Sequence, residues 1–238
     1  MSAPAREIPA RERLIFALDL PDAAEARALV DRLGDSVHFY KLGLELIMGG
    51  QYFRMLDWLA ERGKKIFVDL KFFDIPATIS AAVRQLRNRG VTFASVHGNQ
   101  SMMQAAAVAK GDVKILAVTV LTSLDRGDLD DLGFQCDVEK LVLSRARRAL
   151  EAGCDGVMAA SLEVAMLRQR LDQKLMIVTP GELPVDNRPD VDQRGVVSIE
   201  QTIRNGADYI VIGRSIRDAP DPRAAAEELQ REVLSALR

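Results

Sequence analysis

The feature that most constrains this chain is an eightfold alternation of short apolar runs with longer segments of helical character. Runs rich in Val, Ile, Leu and Phe fall at 14–20, 39–43, 65–71, 93–97, 113–121, 156–160, 175–179 and 209–212. They read as continuous apolar stretches rather than strict alternation, as parallel strands covered on both faces do. Helical segments lie at 22–33, 47–62, 76–89, 102–109, 138–152, 162–171, 199–205 and 222–237. Strand and helix repeating in this order specify a parallel sheet wrapped by helices. Gly34, Gly63, Gly90, Gly153 and Gly206 sit where helices hand over to strands, which suits a left-handed cap. Pro76 suits a first helical position.

Eight such units in 238 residues fit a single α/β (β/α)8 TIM barrel, with a doubly wound open sheet as the alternative. No Pro/Gly/Ser-rich linker divides the chain, so residues 1–13 read as an N-terminal extension and 14–238 as one domain. A net charge of -2 leaves no electrostatic footprint for nucleic acid or a membrane surface. Cys136 and Cys154 are too few for a disulfide framework, have no metal-ligand spacing, and read as small packed residues. Residues 1–13 lack the apolar run of a signal peptide, and no stretch approaches the roughly 18 apolar residues of a membrane span. The expected location is cytoplasmic.

In a barrel of this kind functional groups gather at the C-terminal ends of the strands. Here the apolar runs end on Asp19, Lys41, Asp69 with Lys71, His97, Thr122 with Ser123, Ser161, Thr179 with Pro180, and Gly213 with Arg214. Asp69 and Lys71 are two apart on one strand and so share a face. With Lys41 and Asp74 they make two lysines and two aspartates, enough for a network in which each charge is flanked by its opposite and stays ionised in a partly dry site. A lone Asp-x-Lys is equally well a structural ion pair. Gly213-Arg214-Ser215 opens a helical stretch after the last strand, a position where barrels bind phosphate. His38 reads as a packed or surface residue and His97 as a support of the site, so no Ser-His-Asp triad is expected. The acidic run 125–131 lacks EF-hand spacing and reads as a solvated loop, while Met55 and Trp58 read as packing residues. No metal cluster is expected.

The segments Ala17-Leu18-Asp19, Lys41-Leu42-Gly43, Asp69-Leu70-Lys71-Phe72-Phe73-Asp74-Ile75-Pro76-Ala77-Thr78, Leu121-Thr122-Ser123, Val178-Thr179-Pro180-Gly181, Asp192-Gln193 and Ile212-Gly213-Arg214-Ser215 stand in this order. Together they look like the motifs of bacterial orotidine 5'-phosphate decarboxylases, and the resemblance runs from Leu14 onward. It implies a homodimer with shared active sites, a substrate of orotidine 5'-phosphate, and catalysis without a cofactor. By this resemblance Asp19 and Lys41 hold the ribose hydroxyls, Asp69 lies against the substrate carboxylate, and Lys71 protonates C6. Asp74, Ile75 and Thr78 reach into the neighbour's site, and Thr122 meets the pyrimidine edge. Pro180 belongs to the substrate-binding set, and Gln193, Gly213 and Arg214 grip the phosphate.

Two departures stand out. Pro180-Gly181-Glu182-Leu183 replaces the family's Pro-Gly-Ile-Arg, whose arginine helps hold the phosphate; Arg188 and Arg194 are the alternatives nearby. The segment Val96-His97-Gly98-Asn99-Gln100 is also poorer in glycine than the common version. Two rival functions fit parts of this pattern. Related barrels with Asp-x-Lys-x-x-Asp stabilise an enediolate with magnesium, but they carry an acid where this chain has Lys41. A barrel that only binds nucleotides is made thinkable by Leu183, while the intact Asp69, Lys71 and Asp74 argue for catalysis.

Overall fold

The computed structural model of the protein describes residues 7–124, 126–171, 173, 175–181 and 197–238. Eight parallel strands close into a barrel in sequence order: β1 (Leu14–Ala17), β2 (Phe39–Leu42), β3 (Lys65–Phe72), β4 (Val91–His97), β5 (Lys114–Val118), β6 (Gly156–Met158), β7 (Met176–Pro180) and β8 (Tyr209–Ile212). Closure is made by β1 against β8, with Ile15 opposite Val211. The open-sheet alternative is excluded.

Helices coat the barrel, and some of them start on side-chain caps. Asp22 accepts from the amides of Ala24 and Glu25 ahead of the helix Ala23–Leu33, and Asp221 does the same for Arg223 and Ala224 ahead of Pro222–Ala236. The segment expected as one helix over 47–62 is two, Leu44–Met48 and Tyr52–Glu61. Gly50, at φ 74, turns the chain between them, and Gly49 lies so close to Pro21 that a Cβ would sit 2.6 Å from its carbonyl oxygen. The acidic stretch read as a solvated loop contains a helix, Arg126–Asp131, with Asp125 outside the described residues. Arg126 holds it by bonding Asp130 and the carbonyls of Phe134 and Cys136. Cys136 lies beside this turn and is exposed, not packed, whereas Cys154 is buried as expected. Trp58 is stacked under the guanidinium of Arg62 at 3.7 Å.

Two hydrophobic layers follow from the period of two along each strand. Residues facing outward, such as Phe16, Tyr40, Val68 and Ile210, pack with the helices. Those facing inward, Ile15, Phe39, Phe67, Phe93, Leu116, Met176 and Tyr209 among them, fill the barrel. Phe93 is the centre of this filling, 5.1 Å from both Phe39 and Tyr209 and 6.0 Å from Phe67 between ring centroids. Ile8, of the N-terminal stretch, packs against the same cluster. Among the described residues no helix is long and apolar enough to cross a membrane.

Gly156 belongs to this interior because β6 passes between Leu116 and Met176. A Cβ there would lie 2.6 Å from the Met176 carbonyl oxygen and 2.8 Å from Leu116 Cδ2. The first of these is backbone and cannot swing aside. Gly156→Ala is therefore expected to lower stability by about 1–3 kcal/mol through overpacking. A urea transition shifted to lower midpoint with an unchanged slope is the expected observation; an unshifted midpoint would show that the strands relax freely.

Candidate active site

The inward rows of the strands turn from apolar to polar at the C-terminal mouth. Two residues beyond Ala17, Phe39, Phe67 and Phe93 come Asp19, Lys41, Asp69 and Ser95. The aromatic filling thus becomes the dry floor of a charged site. Asp69 is 4% exposed, and burial of a carboxylate at that depth demands paired cations and hydrogen bonds.

Both are present. Lys71 Nζ donates to Asp69 Oδ2 at 2.9 Å, and Lys41 Nζ stands 3.8 Å from the same oxygen. Lys41 in turn donates to Asp19 Oδ1 at 3.1 Å. The order Asp19, Lys41, Asp69, Lys71 alternates in sign along the mouth. Lys41 is largely buried while Lys71, with 37% of its side chain exposed, reaches toward the opening. Gly43 leaves room for the first pair, since a Cβ at that position would lie 2.9 Å from Asp19 Oδ1. Arg217 donates to the Asp19 carbonyl at 3.1 Å and steadies the end of β1.

Asp74 is not drawn into this network. It is exposed, and its carboxylate accepts from the next amide, Ile75 N–H, at 2.7 Å. Ile75 and Phe73 beside it are 65% and 62% exposed, and Thr78 is exposed one turn on. Thr122 is exposed after β5, and Pro180 is half-buried at the end of β7. Gly213 and Arg214 begin the short helix Arg214–Arg217 directly after β8. Gln193, with Leu183, Arg188 and Arg194, lies outside the described residues. His97 closes the β4 row, its ring edge-on to Phe73 at 4.8 Å, and burial lowers its pKa. His38, removed from the mouth at the start of β2, is likewise shifted down by burial.

Sequence reasoning passed over three residues that organise the mouth. Ser95 donates its hydroxyl to Asp69 Oδ1 at 2.8 Å and is fully buried. Its position in the sequence, two residues after Phe93 and two before His97, puts it on the inward row of β4 but does not by itself mark it as functional. Arg145 donates to the Thr119 carbonyl and lies 5.1 Å from the Phe134 ring, tying the end of β5 to its cover. Glu163 follows β6 and accepts from Ala160 N–H at 2.8 Å. Neither of the last two carries a sequence signature beyond a charge on a helical segment.

The fold and this mouth define a class: a (β/α)8 enzyme whose working groups are an interleaved row of carboxylates and ammoniums over an aromatic floor. Comparison with known proteins makes the assignment narrower. Residues 12–229 match the model of the orotidine 5'-phosphate decarboxylase / HUMPS family, and the chain belongs to that family. It is 62% identical to the orotidine 5'-phosphate decarboxylase of Methylococcus capsulatus, over 96% of this chain and 94% of that protein. To the enzyme of the same name from Stenotrophomonas maltophilia it is 50% identical, over 95% and 94% of the two chains. Among solved structures, orotidine 5'-phosphate decarboxylase from Lactobacillus acidophilus superposes with a TM-score of 0.80 at 32% identity, over 93% of this chain and 99% of that one.

Glu163 gives the stability of the fold a pH dependence. Burial pushes its carboxyl up to about 7, opposed by the Ala160 amide and assisted by the charge of Glu139. A folded-state value above the unfolded one means that the contribution to stability is complete below the unfolded pKa and is lost as pH rises through about 7. The loss amounts to up to roughly 3 kcal/mol between pH 4.5 and 8. Glu163→Gln keeps an oxygen for Ala160 N–H and cannot ionise, so its stability should fall less over that interval than the wild type's. Parallel curves for the two proteins would place the titration elsewhere.

Proposed function

We propose that this chain decarboxylates orotidine 5'-phosphate to uridine 5'-phosphate and carbon dioxide, the last step of de novo UMP synthesis. One observation carries the reading. An ammonium, Lys71, is held 2.9 Å from a buried carboxylate, Asp69, at the mouth of a barrel of the decarboxylase family. Loss of carbon dioxide from C6 leaves an electron pair in an sp² orbital that the pyrimidine ring cannot delocalise. A fixed cation at C6 stabilises that charge as it forms and then supplies the proton, so Lys71 acts as electrostatic partner and as acid. A charge pair at about 4 Å contributes about 4 kcal/mol at an effective dielectric of 20. Lys71 alone therefore supplies part of the acceleration. Asp69, placed against the substrate carboxylate, adds repulsion that is relieved as carbon dioxide departs.

Lys41 keeps Asp69 and Asp19 in register, and Asp19 with Lys41 takes the ribose hydroxyls. Thr122 and Pro180 line the base, and Gln193, Gly213 and Arg214 hold the phosphate, whose binding energy is available to the reacting centre. No cofactor enters this scheme. The chain works as a homodimer in which Asp74, Ile75 and Thr78 complete the partner's site. Exposure of Phe73 and Ile75 on either side of an aspartate that turns away from its own network supports that arrangement.

Lys71→Ala should lose decarboxylation by about three orders of magnitude or more while still binding uridine 5'-phosphate, because its contact matters most in the transition state. The check is absorbance loss of orotidine 5'-phosphate beside calorimetric titration of the product. Near-normal turnover would remove Lys71 from the mechanism.

Sharing of sites predicts complementation. In a mixed dimer of Lys71→Ala and Asp74→Asn chains, one site carries both defects and the other is wholly wild-type. Random exchange makes about half the dimers mixed, so activity should climb toward roughly a quarter of the wild-type value. Verified subunit exchange with flat activity would assign Asp74 to its own chain's site.

A further inference from the structure

We propose that Ser95 is a positioning residue for the reaction, a single hydroxyl that sets both the carboxylate plane of Asp69 and the backbone of Lys71. The proposal rests on the decarboxylase reading above and adds to it a residue outside the charged row.

The geometry begins with a break in the sheet. The ladder between β3 and β4 pairs Val68 with Ala94 and resumes only at Phe72 with Val96, so the register shifts across the very stretch that holds Asp69 and Lys71. Lys71 takes φ 47, the left-handed region that side-chain-bearing residues seldom occupy. Its amide donates not to a strand carbonyl but to Ser95 Oγ, at 2.9 Å. The same hydroxyl donates to Asp69 Oδ1 at 2.8 Å. A hydroxyl has one hydrogen. Ser95 gives it to the carboxylate and therefore meets the Lys71 amide with a lone pair, which fixes the rotor.

Two consequences follow. With Oδ1 tied to Ser95, the oxygen left to face the cations is Oδ2, and it is Oδ2 that meets Lys71 Nζ at 2.9 Å and Lys41 Nζ at 3.8 Å. Rotation of the carboxylate out of this plane would carry Oδ2 away from both ammoniums. The unusual backbone at Lys71, which aims the ammonium from the end of β3, is held by the second bond. Ser95 is fully buried on β4, so no water takes over either role without opening the core. Ser95 acts through Asp69 and Lys71 rather than on the substrate.

Three variants test this. Ser95→Ala removes the hydroxyl and leaves a small void. Its kcat on orotidine 5'-phosphate should fall by about 10- to 100-fold, the range set by losing a hydrogen bond to a charged group. KM and the affinity for uridine 5'-phosphate should stay within about threefold, while the unfolding midpoint falls modestly, because Asp69 Oδ1 and the Lys71 amide lose a buried partner. Ser95→Thr restores the hydroxyl and should recover most of kcat. Should the extra methyl prevent folding, Ser95→Cys, close to serine in size and a weaker donor, should fall between wild type and Ser95→Ala. An unchanged kcat in Ser95→Ala overturns the proposal. So does a joint collapse of kcat, product affinity and midpoint that neither conservative variant repairs, because that pattern belongs to a purely structural serine. The wild type is the control for the underlying reading: if it leaves orotidine 5'-phosphate intact, the decarboxylase assignment fails, whereas an active wild type with an unimpaired Ser95→Ala sinks only the role of Ser95.

Discussion

The rest of this structure is arranged around one costly act, the burial of the Asp69 carboxylate at the mouth of the barrel. An isolated ion at that depth is destabilised by several kcal/mol even after the protein relaxes. Lys71 and Lys41 offset the cost from one oxygen and Ser95 from the other. Each of these partners makes a demand of its own. Lys41 is itself largely buried and needs Asp19, and the Asp19–Lys41 pair needs a glycine at 43 to leave it space. The network grows outward from a single carboxylate until it reaches Lys71, whose side chain is partly exposed at the mouth.

The barrel makes this arrangement repeatable because strand periodicity and register place inward residues in rows. Ala17 pairs with Lys41, and Lys41 with Phe67, so polar and aromatic residues of neighbouring strands interlock at the boundary between floor and mouth. A carboxylate over rings of Phe39, Phe67 and Phe93 has little water beneath it, which strengthens every charge interaction above. Packing of the core and strength of the site are thus one property. A change that loosens the aromatic filling admits water to the network without touching a charged residue.

How much of this could be read from the sequence depends on range. The barrel was legible because its signal, eight apolar runs with helices between, is local and repeated. Asp69, Lys71 and Lys41 were legible as strand-end charges, and the structure brings them together. The break between Leu44–Met48 and Tyr52–Glu61 was not anticipated, although Gly49 and Gly50 announced it. There the helical pattern on both sides outweighed the local punctuation. Ser95 was missed for a physical reason: a serine in a strand is ordinary, and its meaning arises only from the register shift that sets it beside Asp69 and Lys71. Cys136 was misjudged because burial statistics for cysteine say nothing of a residue whose carbonyl, rather than side chain, is the anchored group.

The division between Asp69 and Asp74 explains why one short segment carries two opposite environments. Asp69 lies on a strand whose inward row is buried, so its charge must be satisfied within the chain. Five residues later the chain has left the sheet, and Asp74 stands with Phe73 and Ile75 in the open, followed by a helix that begins at Pro76. Proline at that first turn fixes the departure angle and lacks an amide, so it takes nothing from the Asp74 carboxylate. Exposed apolar residues beside an aspartate are a poor match for water and a good one for a second protein surface. A segment built this way holds one carboxylate for its own chain and offers the other outward.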